Sequence, residues 1–197
     1  MSGIITDNIG RSSGLVKSAS VSAGMTLILS TDISSSVATV GLDNVFTSTY
    51  DLYRVYGYNI FHASNSAEGY LRFLLNSDGS AYTSGGYERV YWRGGSGTTD
   101  TDASVSTSDT LLQINDDVGS ADASQSMVFV ADIFHPMSTS FEKIITCTSF
   151  TKGAGNVYLW KSGCTLNQDS TAMRGIQYHG DSNTDGGKFR VYGITKS

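Results

Sequence analysis

Alternation of apolar and polar residues with a period of two recurs in short bursts from about residue 36 onward. No other feature limits the fold of this chain so strongly. Period two is the signature of a strand, whose successive side chains point to opposite faces. It is clear in SVATVGL (36–42), YDLYRVYGYNIF (50–61), EGYLRFLLN (68–76), YERVYW (87–92), TLLQI (110–114) and MVFVADIF (127–134). FEKIITCTSF, NVYLW, TAMRGIQYH and KFRVYGI add four further candidates. In the second burst the period puts Leu52, Tyr56, Tyr58 and Ile60 on one face and Tyr53, Val55 and Phe61 on the other, so both faces carry rings. In the third, Arg72 falls opposite the Phe73 face.

The connections carry turn chemistry. NSDGSAYTSGGY holds D-G and G-G signals, and NTDGG before KFRVYGI reads as a turn. Residues 94–109 and the stretch NDDVGSADASQS read as polar loops. Pro136, the chain's single proline, follows MVFVADIF and marks an edge or a turn. No segment reads as a long helix. About ten strands at this spacing predict an all-β, antiparallel β-sandwich with jelly-roll-like character. The 22 glycines, the 11 tyrosines and the low share of charged residues (16 %) agree with strands joined by tight turns.

Residues 1–35 lack the steady period. Ile4, Ile5 and Ile9 form a small apolar cluster, Leu15 and Val16 follow as a pair, and Met25 to Leu29 is short enough to be a first strand. Gly10 and Gly14 interrupt any helix. The chain therefore divides into an extended N-terminal arm (1–35) and a β-sandwich domain (36–197). An isolated segment of this kind bears its ordering entropy alone, so it gains by lying against its own domain or a partner. The start has no basic stretch followed by an apolar core, and no run is long enough to span a bilayer, so neither a signal peptide nor membrane insertion is expected.

Chemistry is sparse. The net charge of −5 and the absence of a Lys/Arg-rich run argue against nucleic acid as a partner. His62, His135 and His179 lack metal-ligand spacing, and His135, in an F-H-P stretch, reads as a turn residue. The pairs Asp100/Asp102, Asp116/Asp117 and Asp181/Asp185 could offer oxygen ligands to calcium, but Asp, Asn and Gly in such stretches ordinarily make turns. Glu68, Glu88 and Glu142, the only glutamates, sit in no glycosidase-like motif, and no G-x-S-x-G is present. No catalytic residue, metal or cofactor is expected. Cys147 and Cys164 are either two buried thiols or a pair on neighbouring strands. What remains is surface: Tyr82, Tyr87, Tyr91, Trp92 and Trp160 offer rigid contact area with a polar handle, suited to a protein partner or a sugar face.

The run from Tyr50 through Gly57 and Asn59, then EGYLRFLLNSDGS, SGGY and the closing GGKFRVYGI, resembles virion surface proteins of tailed bacteriophages, especially those of aquatic hosts. ITDNIGRSSGLVK is similar to the N-terminal signature of small phage structural proteins. The resemblance covers most of the chain. It implies a jelly-roll sandwich, commonly a homotrimer, located on the virion and contacting other virion structural proteins. It also implies that Asp78 and Gly79 form a hairpin turn, that Ser84, Gly85, Gly86 and Tyr87 form the next turn and strand entry, and that Phe189, Val191, Tyr192 and Gly193 close the sheet. The implied role is non-enzymatic: capsid decoration or cement, with the alternative of a tail-fibre or receptor-binding tip that recognises host surface carbohydrate. No heptads, collagen-like repeats or β-helix shaft are present, which favours compact decoration. In that reading Ile4, Ile5, Ile9, Leu15 and Val16 are the assembly contact.

Overall fold

The computed structural model describes residues 24–65, 67–84, 86–95, 102–118, 123–152, 158–167 and 170–194, with backbone alone at 102–105, 107, 108, 116–118, 158–160, 162 and 164–167. Ile4, Ile5, Ile9, Leu15 and Val16 lie outside the described residues. The described chain is all-β and antiparallel: β1 (Met25–Ile33), β2 (Val37–Leu42), β3 (Leu52–His62), β4 (Ala67–Leu75), β5 (Tyr87–Gly95), β6 (Asp102–Asp109), β7 (Leu112–Val118), β8 (Met127–Phe134), β9 (Lys143–Lys152), β10 (Tyr158–Asn167) and β11 (Met173–Ile194). A single 3-10 turn, Ala123–Gln125, precedes β8. Within the segment read as an arm, β1 is part of the sheet and pairs with β11 from Met25↔Ile194 to Ile33↔Gly187.

β11 organises everything else. It is flanked by β3 and then β4 on one side, and by β1 and then β2 on the other. Its C-terminal half continues through β3 into the order β8, β9, β10, β5, β6, while its N-terminal half continues through β4 to β7. Register shifts at Thr184/Gly186 and Gly186/Lys188 fall where the two halves meet. The sheet folds over there and closes on itself as a jelly-roll-like sandwich. Ser149 Oγ donates to Ile114 O across the layers, tying β9 to β7.

The residues NTDGG are therefore not the turn expected between two strands. They lie inside one 22-residue strand, where its partners change from β4 to β3 on one flank and from β2 to β1 on the other. Polar and glycine-rich residues serve a bend as well as a turn, because both relax side-chain crowding on the backbone. A second correction concerns residues 94–109. Their C-terminal half is β6, paired to β5 from Tyr87↔Asp109 to Arg93↔Asp102. Backbone hydrogen bonds carry that pairing, which needs no apolar side chains. β7 likewise extends to Val118, into the stretch read as a loop.

A third correction comes from Asn59. It is left-handed (φ 54) and exposed, and the β3–β8 register shifts between Gly57 and Ile60. The extra residue inverts the alternation, so Tyr53, Val55, Ile60 and His62 are buried while Phe61 is only half-buried. The D-G turn is formed as expected: Gly79 has φ 76, its N–H donates to Leu75 O, and Ser80 N–H donates to Asp78 Oδ1 at 2.8 Å. Gly86, at φ 92, leads into β5. His135 is a turn residue (φ 52), with its N–H donating to Asp51 O.

The core lies between the layers. Phe129 of β8 stacks on Tyr178, and Phe189 packs on both, with centroids 5.3 Å from Tyr178 and 6.3 Å from Phe129. Tyr178 and Phe189 come from opposite halves of β11, so this cluster joins the two layers. Buried His62 hydrogen-bonds the Tyr178 hydroxyl through Nε2 at 2.7 Å and approaches Ser182 O through Nδ1 at 3.1 Å. Tyr53 accepts from Thr47 N–H and donates to Thr47 O, so its buried hydroxyl is satisfied. Cys147 is a buried free thiol, which excludes a Cys147–Cys164 bridge. Burial pushes that thiol up to about 12.

Two outcomes follow from the bend. A Cβ on Gly180 would stand 2.0 Å from the His62 ring, and that ring is fixed at both nitrogens. Gly180→Ala should cost about 1–3 kcal/mol of stability, read from urea unfolding. Burial holds both His62 and His179 below the ordinary imidazole value. The unfolded chain takes up those protons near pH 6.5 and the folded chain only at lower pH. Their contribution is thus fully present above about pH 6.5 and is lost as pH falls below it. The melting temperature should drop between about pH 6.5 and 5, and His62→Gln should flatten that slope.

Candidate functional site

The sequence-predicted surface residues separate in the structure. Tyr82 and Tyr87 are core residues rather than surface ones: Tyr87 is fully buried, stacks on Phe73, and accepts a hydrogen bond from Phe73 N–H at 2.8 Å. Tyr82 packs edge-on against it. Their strand entry folds inward over β4, which period alone does not reveal. Tyr91 is also buried, with the Lys161 ammonium 3.8 Å from its ring centroid. Trp92, the next residue on β5, points the other way and is 59 % exposed. Trp160 pairs in register with Phe150 and Gly94; its side chain lies outside the described residues.

Trp92 belongs to a larger pattern. Among the described residues, eight of the nine exposed large apolar side chains lie on the outward face of one layer, Phe141 being the exception. They are Met25 and Leu27 on β1, Val90 and Trp92 on β5, Val128 and Val130 on β8, and Ile144 and Phe150 on β9. Register aligns them. Trp92 pairs with Ser162, Ser162 with Thr148, Thr148 with Val130, Val130 with Tyr56, and Tyr56 with Arg190. The neighbouring row places Phe150 opposite Val128. On the other side, Thr146 faces Asp132, Asp132 faces Arg54, Arg54 faces Tyr192, and Tyr192 faces Leu27. Single exposed apolar residues are ordinary; eight gathered on one sheet face, around a polar centre of Thr146, Thr148, Arg54 and Asp132, are not.

Five charges on this face are paired within the chain. Arg54 and Asp132 form a two-pronged pair at 2.6 and 2.7 Å, which raises the guanidinium above its ordinary value. Asp32 receives Arg190 at 2.7 Å and Lys188 at 3.0 Å, and these two bonds hold its carboxyl below the usual carboxylate range. Tyr56 and Tyr192 meet edge-to-face at 5.7 Å, and the Arg190 guanidinium lies 5.6 Å from the Tyr58 centroid. With Met25 these groups line an open depression of about 450 Å³. A smaller one, about 130 Å³, lies between Val130, Asp132 and Thr148.

The remaining candidates lie elsewhere. Glu68 accepts hydrogen bonds from Tyr70 Oη and from Gln113 Nε2, the latter at 2.6 Å; Gln113 Oε1 in turn accepts from Arg89 at 2.7 Å and Lys161 at 3.2 Å. Glu142 is exposed ahead of β9. No three His, Cys, Asp or Glu residues among those described are placed to hold a metal ion. His179 stacks on Tyr70 at 5.1 Å, and burial is the main cause of its lowered value.

No protein-family model matches the chain, and no curated protein matches it. Among solved structures it is similar to the laminarinase catalytic domain from Thermotoga maritima MSB8 in complex with cetyltrimethylammonium bromide, with a TM-score of 0.27 and 12 % identity, covering 95 % of this chain and 90 % of that one. It is also similar to a chain in the structure of infectious bursal disease virus Gx strain, with a TM-score of 0.16 and 11 % identity, covering 88 % of this chain and 40 % of that one. Scores this low carry no argument about function.

Because the exposed apolar face stands outside the core, folding should not need it. Trp92→Ser combined with Phe150→Ser should change stability by no more than about 0.5 kcal/mol per site, measured by urea unfolding, while lowering retention on a hydrophobic-interaction column.

Proposed function

We propose that this chain is a non-enzymatic structural protein of a virion surface, a compact decoration or cement protein. It docks on the particle through its leader, the N-terminal arm, and turns the exposed face of the larger layer, the sheet of β1, β11, β3, β8, β9, β10 and β5, toward neighbouring subunits. The observation that carries this reading is the gathering of exposed apolar side chains on one sheet face around the Arg54–Asp132 and Asp32–Arg190–Lys188 ion pairs. Such a patch is the mark of a protein–protein contact. The phage-type resemblance of the sequence supplies the setting. The second reading, a receptor-binding tip for host surface glycan, draws on the depression between Tyr56, Tyr58, Tyr192 and Arg190, since tyrosine rings and a guanidinium suit the apolar and hydroxyl faces of a sugar.

An antibody against the chain, applied to purified virions of the phage that encodes it, should label the particle surface in electron micrographs. Particles that lack the chain would overturn the proposal. Residues 2–18 precede β1, so deleting them spares the described sheet. The truncated protein should keep its far-UV circular dichroism and lose binding to those virions. Full occupancy by the truncated protein would refute docking through the leader, and glycan-array binding abolished by Tyr192→Ala would favour the second reading.

A further inference from the structure

We infer that the exposed face of the larger layer is a self-association surface that pairs with the same face of a second copy about a two-fold axis. The inference rests on the reading of that face as an assembly surface and names its occupant.

Three features point to a second copy. The first is area. From β5 to β1 the strands, about 4.8 Å apart, and the aligned rows, about 6.8 Å apart, give a face on the order of 32 Å by 25 Å, or about 800 Å². That is about the share each partner contributes to a stable interface of standard size. The second is charge. The chain carries −5, so two copies repel at most orientations. On this face, however, Asp132 is held by Arg54, and Asp32 by Arg190 and Lys188. Two copies meeting here bring no unpaired carboxylate of that set against another. The third is shape. Two copies of one sheet share the same twist, and sheets of equal twist pack face to face about 10 Å apart at roughly −30°.

Symmetry then sets the number of copies. A ring of three needs two different complementary patches on each subunit, whereas a single patch that fits itself closes as a dimer. Among the described residues eight of the nine exposed large apolar side chains share this one face. Two-fold pairing thus departs from the homotrimer that the sequence resemblance implies.

Sedimentation of the full-length chain from about 1 to about 100 µM, a span that covers weak interfaces of this size, tests the inference. The expected species is a dimer of 2 × 21.0 = 42.0 kDa. Thr148→Arg puts an unpaired cation at an exposed position in the middle of the face and should return the chain to monomer with unchanged circular dichroism. Asn183→Arg, exposed on the bend of β11, should leave the dimer intact. A wild-type monomer throughout the range, a trimer, or a dimer that survives Thr148→Arg would each overturn two-fold pairing. If the wild-type chain is monomeric and Trp92 in a Trp160→Phe background becomes more open to acrylamide on deleting residues 2–18, the chain's own leader is the occupant instead. Virion labelling is independent of all these results, so failure of the pairing and failure of the virion role are read separately.

Discussion

One strand belongs to both layers, and that constraint governs the molecule. β11 runs through the bend with partners on both flanks, so neither layer can be completed without it. The bend would be weak if only backbone held it. Instead the Tyr178 ring on one side packs against Phe189 on the other, and the Tyr178 hydroxyl is bound by His62, which enters from β3. A buried hydroxyl and a buried imidazole each satisfy the other, removing a desolvation cost that either would carry alone. Gly180 is small because the imidazole occupies the space a side chain would need. Sequence, bend and core are linked at that point.

The two sides of the larger layer show how one strand pattern serves two ends. Inward positions of β8 and β9 (Phe129, Ala131, Ile133, Ile145) fill the core. Their outward neighbours (Val128, Val130, Ile144, Phe150) remain apolar and exposed. Polar residues at those outward positions would have sufficed for folding, as in sheets that face water on one side. The ion pairs in the middle of the face add little stability, being partly exposed. Their consequence is electrostatic: they neutralise the centre of a surface on an acidic protein.

Much of this was legible in the sequence. The all-β, antiparallel character followed from period-two bursts, and β3, β4, β8 and β9 fall close to where alternation placed them. The D-G turn at Asp78 and Gly79 was legible because only a residue tolerant of positive φ fits there. The errors share a cause. β6 has the composition of a loop, and its identity comes from a partner strand that local sequence does not name. NTDGG has the chemistry of a turn, but neighbours on both flanks convert it into a bend. At Asn59 one added residue inverts every later position on β3. Trp92 was named with Tyr91 for its aromatic contact area, and the alternation of β5 exposes the one and buries the other. The face around it was not found, since it arises from the inter-strand register of β1, β3, β5, β8, β9, β10 and β11. Tyr82 and Tyr87 were misassigned because their segment folds back over Phe73 of β4, a contact that alternation alone does not reveal.

The pairing of Met25 with Ile194 places the earliest described strand beside the latest. Loop-closure entropy must be met before such contacts return any free energy, which makes topologies of this kind slow to form. Until β11 arrives, β1, β2, β3 and β4 each hold out a row of unsatisfied amides and carbonyls, the template on which strands from other molecules add. Substitutions that delay the arrival of β11 would therefore be felt in the yield of soluble protein before they are felt in the melting temperature of the molecules that do fold.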